Sequence, residues 1–394
     1  MNVKNFSDLK KNNMGNIFST ILKNNYISRK ELSESTQLAP SAITALTKDL
    51  IKYGYIYETS KKIKENQGRG RPPIRLTVKN DSYGVIGIEI GAGFYKIGII
   101  GLAGEPIDVE VVNFNPTQAV KVVLDKINEH IEAKKQILEE KNIELTAVSI
   151  SAPGLVDHKK GLIHYSPNLD WKEVDIFSFF EKRQTKPIIL DNNVNLMAIG
   201  EKWFGRGQLH DSILFVHIGT GVGCAIILPQ LGILRGDADG AGELGHITLK
   251  KDGPLCSCGK KGCLEALLTD DNIVKEYKKY NNVQNGDFST DDIVGLAEDG
   301  DSAAVDVIKQ SIDYLGLGIA DVYNLIEPTS IIINGHRLIN SPLTLKWLKE
   351  ATRKYCFNQE AKLNYRYSSF GKNQTIIGTA AQAFKNHLWF YNNQ

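Results

Sequence analysis

No apolar run long enough to cross a bilayer occurs in this sequence of 394 residues. The longest candidate, Ile213 to Leu234, is broken by His217, Gln230 and four glycines, a pattern of buried strands and glycine turns. Met1 to Lys11 are polar and contain no apolar h-region, which excludes a secretory signal there. The expectation is a cytoplasmic chain with no membrane partner. Net charge is nearly absent too, at +2, and cysteine is scarce, at five residues. What remains, 42% hydrophobic and 23% charged, is the mix of a soluble globular protein, and the length suggests two or three domains.

The small net charge hides an asymmetry. Residues 1–80 hold fifteen Lys and Arg against six Asp and Glu, a net of +9, and the remainder nets −7. A basic head on an acidic body fits nucleic-acid binding, and charge alone fits a solvated basic surface equally well.

Periodicity favours the first. Apolar residues recur at helical spacing at Ile17, Ile21 and Leu22, then Leu32 and Leu38, then Ile43, Leu46, Leu50 and Ile51. Ser28 and Glu31 have capping-box spacing, which predicts a second helix from Arg29; Pro40 suits the first turn of a third. That third helix leaves Ser41, Ala42, Thr44, Ala45 and Lys48 off its apolar stripe, small or polar residues that let a helix enter the major groove and meet bases and phosphates. Residues 55–59 and 74–78 alternate as two wing strands, completing a winged helix-turn-helix. Between them, Gly68-Arg69-Gly70-Arg71-Pro72 offers two arginines on an extended backbone that suits a narrow, A/T-containing minor groove; Arg69 and Arg71 join the DNA-binding set.

From Tyr83 the pattern becomes strand, glycine turn, strand: 85–90 and 95–100 about Gly91 and Gly93, then 214 onward through Gly219-Thr220-Gly221-Val222-Gly223. Such turns let backbone amides approach a phosphate. Three of the five cysteines, Cys256, Cys258 and Cys263, stand in a C-x-C-G-x-x-G-C run with His246 ten residues upstream. Three thiolates and one imidazole make the closed tetrahedral shell of a structural Zn2+ site, one per chain, whereas disulfides would leave one of three unpaired. Cys224 and Cys356 read as core.

Gly242-Glu243-Leu244-Gly245-His246 followed by Cys256 to Glu265 resembles the signature of the repressor, open-reading-frame and kinase (ROK) family. The resemblance covers nearly the whole chain and extends to members with a helix-turn-helix head, the xylose repressors among them. It implies an α/β fold: the winged helix-turn-helix plus a two-lobed actin-like, ribonuclease H-type domain with a ligand cleft, zinc on His246, Cys256, Cys258 and Cys263, and a homodimer. The expected domains are 1–80 for the head, 81–195 for the first lobe, rejoined by a C-terminal helix 378–394, and 196–377 for the second lobe with the zinc and the dimer interface.

By the same resemblance a sugar is held by Gly154, Asn168, Asn192, Asn193, Glu243, His246 and Glu265. His246 would then have two tasks, one ring nitrogen on metal and one toward a hydroxyl. The departure lies in Leu190-Asp191-Asn192-Asn193, where Asn193 occupies the catalytic base's position. An amide takes no proton at neutral pH, so no catalytic residue is assigned and the chain is expected not to be an enzyme. Asp191, two residues earlier, would share a face with Asn193 if the strand continued. The first loop reads Glu89-Ile90-Gly91-Ala92-Gly93 where kinases of the family read D-x-G-G-T. These features together predict a sugar-responsive repressor of carbohydrate-utilisation genes, its partners a palindromic operator and a monosaccharide, xylose or another neutral sugar first. The competing readings are a sugar kinase and a repressor controlled by a partner protein.

Overall fold

Two five-stranded sheets share one strand order. A computed structural model describes residues 6–60, 73–237, 239–281, 287–335 and 337–390. It divides into two compact units: Met1–Phe204 with Asn373–Gln394, and Gly205–Lys372.

The first unit begins with the head. Helix α1 (Phe6–Asn24) buries Met14, Ile17, Phe18 and Ile21. Strand β1 (Ile27–Ser28) leads into α2 (Arg29–Thr36), whose start is fixed by the expected capping box: Glu31 N–H donates to Ser28 Oγ at 3.2 Å, and Ser28 N–H to Glu31 Oε2 at 2.7 Å. Helix α3 (Pro40–Lys52) carries Pro40 in its first turn and buries Ile43, Leu46, Thr47 and Leu50. Strands β2 (Ile56–Thr59) and β3 (Arg75–Val78) pair antiparallel, and β1 adds to β3, so the wing is a three-stranded sheet. Arg69 and Arg71 lie outside the described residues.

The lobe that follows comprises β4 (Tyr83–Gly91), β5 (Phe94–Gly101), β6 (Pro106–Asn113), α4 (Val120–Glu140), β7 (Glu144–Ala152) and, further on, β11 (Ile188–Asn192). Its sheet runs β11-β7-β4-β5-β6, antiparallel across β4, β5 and β6 and parallel for β7 and β11. Central strands β4 and β7 carry apolar residues on both faces because both are covered: Ile86, Ile88, Val148 and Ile150 join one cluster, Val85 and Ala147 the other. Inserted before β11 is a small sheet of β8 (Leu155–Asp157), β9 (Leu162–Ser166) and β10 (Trp171–Asp175), followed by α5 (Ile176–Phe180). Helix α6 (Asn193–Phe204) leaves β11 and packs on α13 (Gln374–His387).

The second unit repeats the plan. Strands β12 (Ile213–Ile218), β13 (Val222–Leu228) and β14 (Gly232–Ile233) are antiparallel; β15 (Ser330–Gly335) and β16 (Tyr365–Tyr367) are parallel, in the order β14-β13-β12-β15-β16. Helices α7 (Leu264–Leu268), α8 (Asp270–Tyr280), α9 (Thr290–Glu298), α10 (Ser302–Ile326), α11 (Arg337–Asn340) and α12 (Pro342–Tyr355) fill it out, and α10 and α12 approach closely enough that Gly316 leaves no room for a Cβ beside Ala351. The run 213–234 forms strands and turns, and among the described residues no helix is long and apolar enough to cross a membrane.

The dividing points fall at 204/205 and 372/373, later and earlier than the expected 195/196 and 377/378. The cause is α6. Residues 194–201 are buried without a break, so the helix belongs with the partner that covers it, α13, in the first unit. The head is likewise no free module, because Met14, Phe18 and Leu50 share a core with Val85, Ile376 and Phe384.

Candidate functional site

In the head, Ser41, Thr44, Ala45 and Lys48 of α3 are exposed and Ala42 is half-buried. The Thr44 hydroxyl donates to Pro40 O at 2.8 Å, which leaves its oxygen lone pairs facing outward as acceptors. Thr47, on the buried side, accepts Arg29 Nε at 3.0 Å, and Arg29 also pairs with Glu58 at 2.7 Å; α2, α3 and the wing are thereby held in one register. The Arg29 clamp is not evident from helical periodicity.

The polar set of the first unit forms where β11 ends. Asn192 caps α6, its Oδ1 accepting the Val194 amide at 2.8 Å while its Nδ2 donates to Gly154 O at 2.9 Å. Gly154 has φ +95°, and a Cβ there would strike the Tyr165 carbonyl, so the turn requires glycine. Tyr165 and Ser166 lead into the turn that carries the exposed Asn168, with Leu169 and Trp171 buried on either side of Asp170. Asn193 Oδ1 accepts the Val194 amide at 3.0 Å. Asn193 starts a helix, so the strand alternation that would set Asp191 beside it ends at Asn192. Asp191 is buried at 1% exposure, and its Oδ1 accepts Asn192 N–H at 2.7 Å and Asn195 Nδ2 at 3.2 Å. That carboxylate holds the turn.

In the second unit, His246, Cys256, Cys258 and Cys263 bring one ligand atom each to within 4.8 Å of one another. The Cys258 and Cys263 sulfurs are 3.7 Å apart, and Cys256 Sγ is 3.5 Å from His246 Nδ1. Tetrahedral metal–sulfur bonds of about 2.3 Å give edges of roughly 3.5–3.8 Å, so the four residues fit one ion. The loop that gathers them is a tight knuckle: Gly259 N–H donates to Cys256 O, and Cys256 N–H to Lys260 O. Gly259 and Gly262 take φ of +85° and +70°, and any Cβ on Gly262 would run into Lys250 O. Burial pushes the Cys263 thiol up to about 12, while the Lys260 amide pulls Cys258 below the usual thiol range.

His246 Nε2 points the other way, 4.0 Å from Glu243 Oε2. Glu243 keeps 54% of its side chain open, yet crowding raises its carboxyl pKa, Glu265 adds to the rise and His246 opposes it. Glu265 opens α7; its Oε2 accepts the Val222 amide at 3.0 Å and its Oε1 the Ser257 hydroxyl at 3.2 Å. The knuckle and the Gly219–Gly223 turn are thus joined by one carboxylate, a link that the sequence pattern does not announce. Cys224 and Cys356 are buried, as expected of core residues.

Near the end of β4, Glu89 is committed to two partners. Glu89 Oε2 accepts Lys96 Nζ at 3.2 Å and its Oε1 accepts Thr375 Oγ1 at 3.0 Å, with Glu89 and Lys96 only 17% and 12% exposed. Glu89 and Lys96 face each other across the β4–β5 hairpin, a signal that strand pairing supplies. Thr375 lies far along the chain and carries no such signal.

Residues 85–386 match the model of the ROK family, and residues 13–57 match a winged helix-turn-helix DNA-binding model. A xylose repressor from Caldicellulosiruptor bescii is 29% identical over 385 residues, 95% of this chain and 96% of that protein. A solved ROK family transcriptional regulator, a homolog of the E. coli MLC protein, superposes with a TM-score of 0.78 at 30% identity, covering 97% of this chain and 98% of the other. A ROK family glucokinase from Streptomyces griseus in complex with glucose and AMPPNP gives 0.64 at 27% identity over 77% of this chain and 99% of its own.

Proposed function

We propose, from the premise that this chain belongs to the ROK family, that it is a sugar-responsive, DNA-binding transcriptional repressor of carbohydrate-utilisation genes and not a kinase. The single observation that carries this reading is the joining of a winged helix-turn-helix head to a ROK body in which Asp191 is buried in the turn before α6, so that it offers no base in place of Asn193, the residue that the resemblance sets at the base's position. Recognition chemistry survives and proton removal does not. The xylose repressor and the transcriptional regulator match over nearly their full lengths, head included, which supports a regulator over an enzyme.

In this reading Ser41, Ala42, Thr44 and Ala45 meet base edges and Lys48, Arg69 and Arg71 meet the backbone and minor groove of A/T-containing DNA. Two copies bind a palindromic operator in the cytoplasm, one head per half-site. A neutral monosaccharide, xylose first, is the ligand proposed for the hydroxyl-binding residues that the family resemblance names, Gly154, Asn168, Asn192, Asn193, Glu243, His246 and Glu265. Zinc held by His246, Cys256, Cys258 and Cys263 would fix the ring plane of His246 and leave Nε2 available to a hydroxyl. Sugar and operator then weaken each other's binding by the same factor.

The test is operator affinity of the full-length protein, by anisotropy on its own upstream DNA, with and without xylose, glucose and other neutral sugars. A sugar that lowers affinity supports the reading. An affinity indifferent to every sugar favours control by a partner protein, and sugar phosphate formed from ATP at an enzymatic rate returns the chain to the kinases.

A further inference from the structure

The C-terminal helix α13 touches both ends of the first unit's working parts. At its start, Gln374 Nε2 donates to Met197 O of α6 at 3.0 Å and the Thr375 hydroxyl donates to Glu89 of β4 at 3.0 Å; both residues are 2% exposed. One turn on, the backbones of α6 and α13 nearly meet: a Cβ on Gly200 would lie 3.1 Å from Gly378 Cα, and a Cβ on Gly378 would strike Leu196 O. Helices packed this closely slide or tilt as one body, because no side chain lies between them to absorb a shift.

The far end enters the head. Phe384, Leu388 and Phe390 share one apolar core with Phe18, Ile43 and Leu50. The Phe390 ring lies 5.5 Å from Phe18 and 5.1 Å from Tyr55, edge to face with the latter. Trp389 meets Tyr53, the residue that ends α3, at 5.8 Å, and Tyr53 O also accepts the Tyr83 hydroxyl at 2.9 Å. The first residue of α6 is Asn193, and its cap is Asn192.

We infer that α13 is the strut by which ligand binding at the Asn192–Asn193 turn reaches the DNA-reading helix, and that Glu89 fastens that strut. The inference rests on the sugar site proposed above. A carboxylate at the position that serves nucleotide chemistry in kinases of the family is committed here to Lys96 and Thr375, so it secures the foot of the helix on β4. A sugar that displaces the Asn192 cap moves α6, α6 carries α13 through the glycine contact, and α13 moves Phe390 and Trp389 against the end of α3. Every link lies within one compact unit.

The experiment uses full-length protein and two variants. Thr375→Val removes one hydroxyl and keeps the side chain's shape; Phe390→Ala removes the ring in the head core. Calorimetry with xylose and with glucose measures sugar binding, and operator affinity is measured with and without each. The strut predicts sugar affinity within about threefold of wild type in both variants, and a sugar-induced loss of operator affinity cut by at least about fivefold. A full wild-type response in Thr375→Val and Phe390→Ala overturns it. Should Phe390→Ala fail to fold, Thr375→Val decides. Should wild type bind neither sugar, the sugar reading fails separately, and the strut is then read by hydrogen exchange: Asn192→Ala must raise exchange in α3 as well as in α6 and α13, and unchanged α3 overturns it.

Discussion

Asn192 donates its side-chain amide to the Gly154 carbonyl at 2.9 Å while its oxygen caps α6. Two loops that approach from different strands are therefore locked by one residue of the candidate sugar set. Asn192→Ala should lower unfolding stability by about 1 kcal/mol through the lost cap and abolish measurable sugar binding. Thermal melting and calorimetry check the two effects separately.

The metal knuckle gives the largest expected effect. Cys258→Ser breaks the proposed Cys3His shell, so the zinc proposed to bind there should be lost, and the second unit should lose several kcal/mol of stability, because metal-binding energy in such sites is folding energy. Elemental analysis and melting of the variant test this; unaltered metal content would remove the shell from the description.

Restoring the carboxylate should not restore a kinase. Asn193→Asp puts a carboxylate at the position that the family resemblance gives to the base, worth roughly 10²–10⁴-fold in an intact site, but Glu89 remains bound to Lys96 and Thr375. ATP consumption with xylose or glucose is expected to stay at background. Turnover in this single variant would show that the first loop still handles nucleotide.

Salt dependence separates backbone contacts from base contacts on the operator. Lys48→Ala should weaken binding to all DNA and reduce the slope of log affinity against log salt by about 0.9, and Arg69→Ala with Arg71→Ala by about twice that. Anisotropy titrations over a range of salt concentrations measure both.

The head should be acid-sensitive through its capping box. The Ser28 amide, hydrogen-bonded to Glu31, holds that carboxyl below its ordinary range, helped by the Ser28 hydroxyl and Arg75. A depressed folded-state pKa contributes stability above the unfolded value, near 4.5, and loses it as pH falls through the folded value. Glu31→Gln keeps the box geometry but should flatten the fall in head stability below about pH 4.5, as followed by circular dichroism.

Local chemistry was the legible part of this molecule. Ser28 and Glu31 are three residues apart and found each other; the knuckle cysteines lie within eight positions and their glycines demand the turn. Strand order in both sheets agrees with the two-lobed expectation. Two things were hidden. Helix α6 is buried on every side over 194–201, so it has no amphipathic stripe to say which neighbour covers it, and nothing in its sequence announces that it belongs with α13 in the first unit. The Thr375 bond to Glu89 joins residues 286 positions apart, a distance at which composition and spacing carry no information.

The meeting of Phe18 with Phe390 also bears on how the chain is made. A ribosome releases the helix-turn-helix first, yet the apolar plug that finishes its interior emerges only after 205–372 has been synthesised and can already have folded. Contacts so remote in sequence close slowly and late. The DNA reader of a nascent molecule therefore stays unfinished until translation has delivered the part of the protein that is to control it.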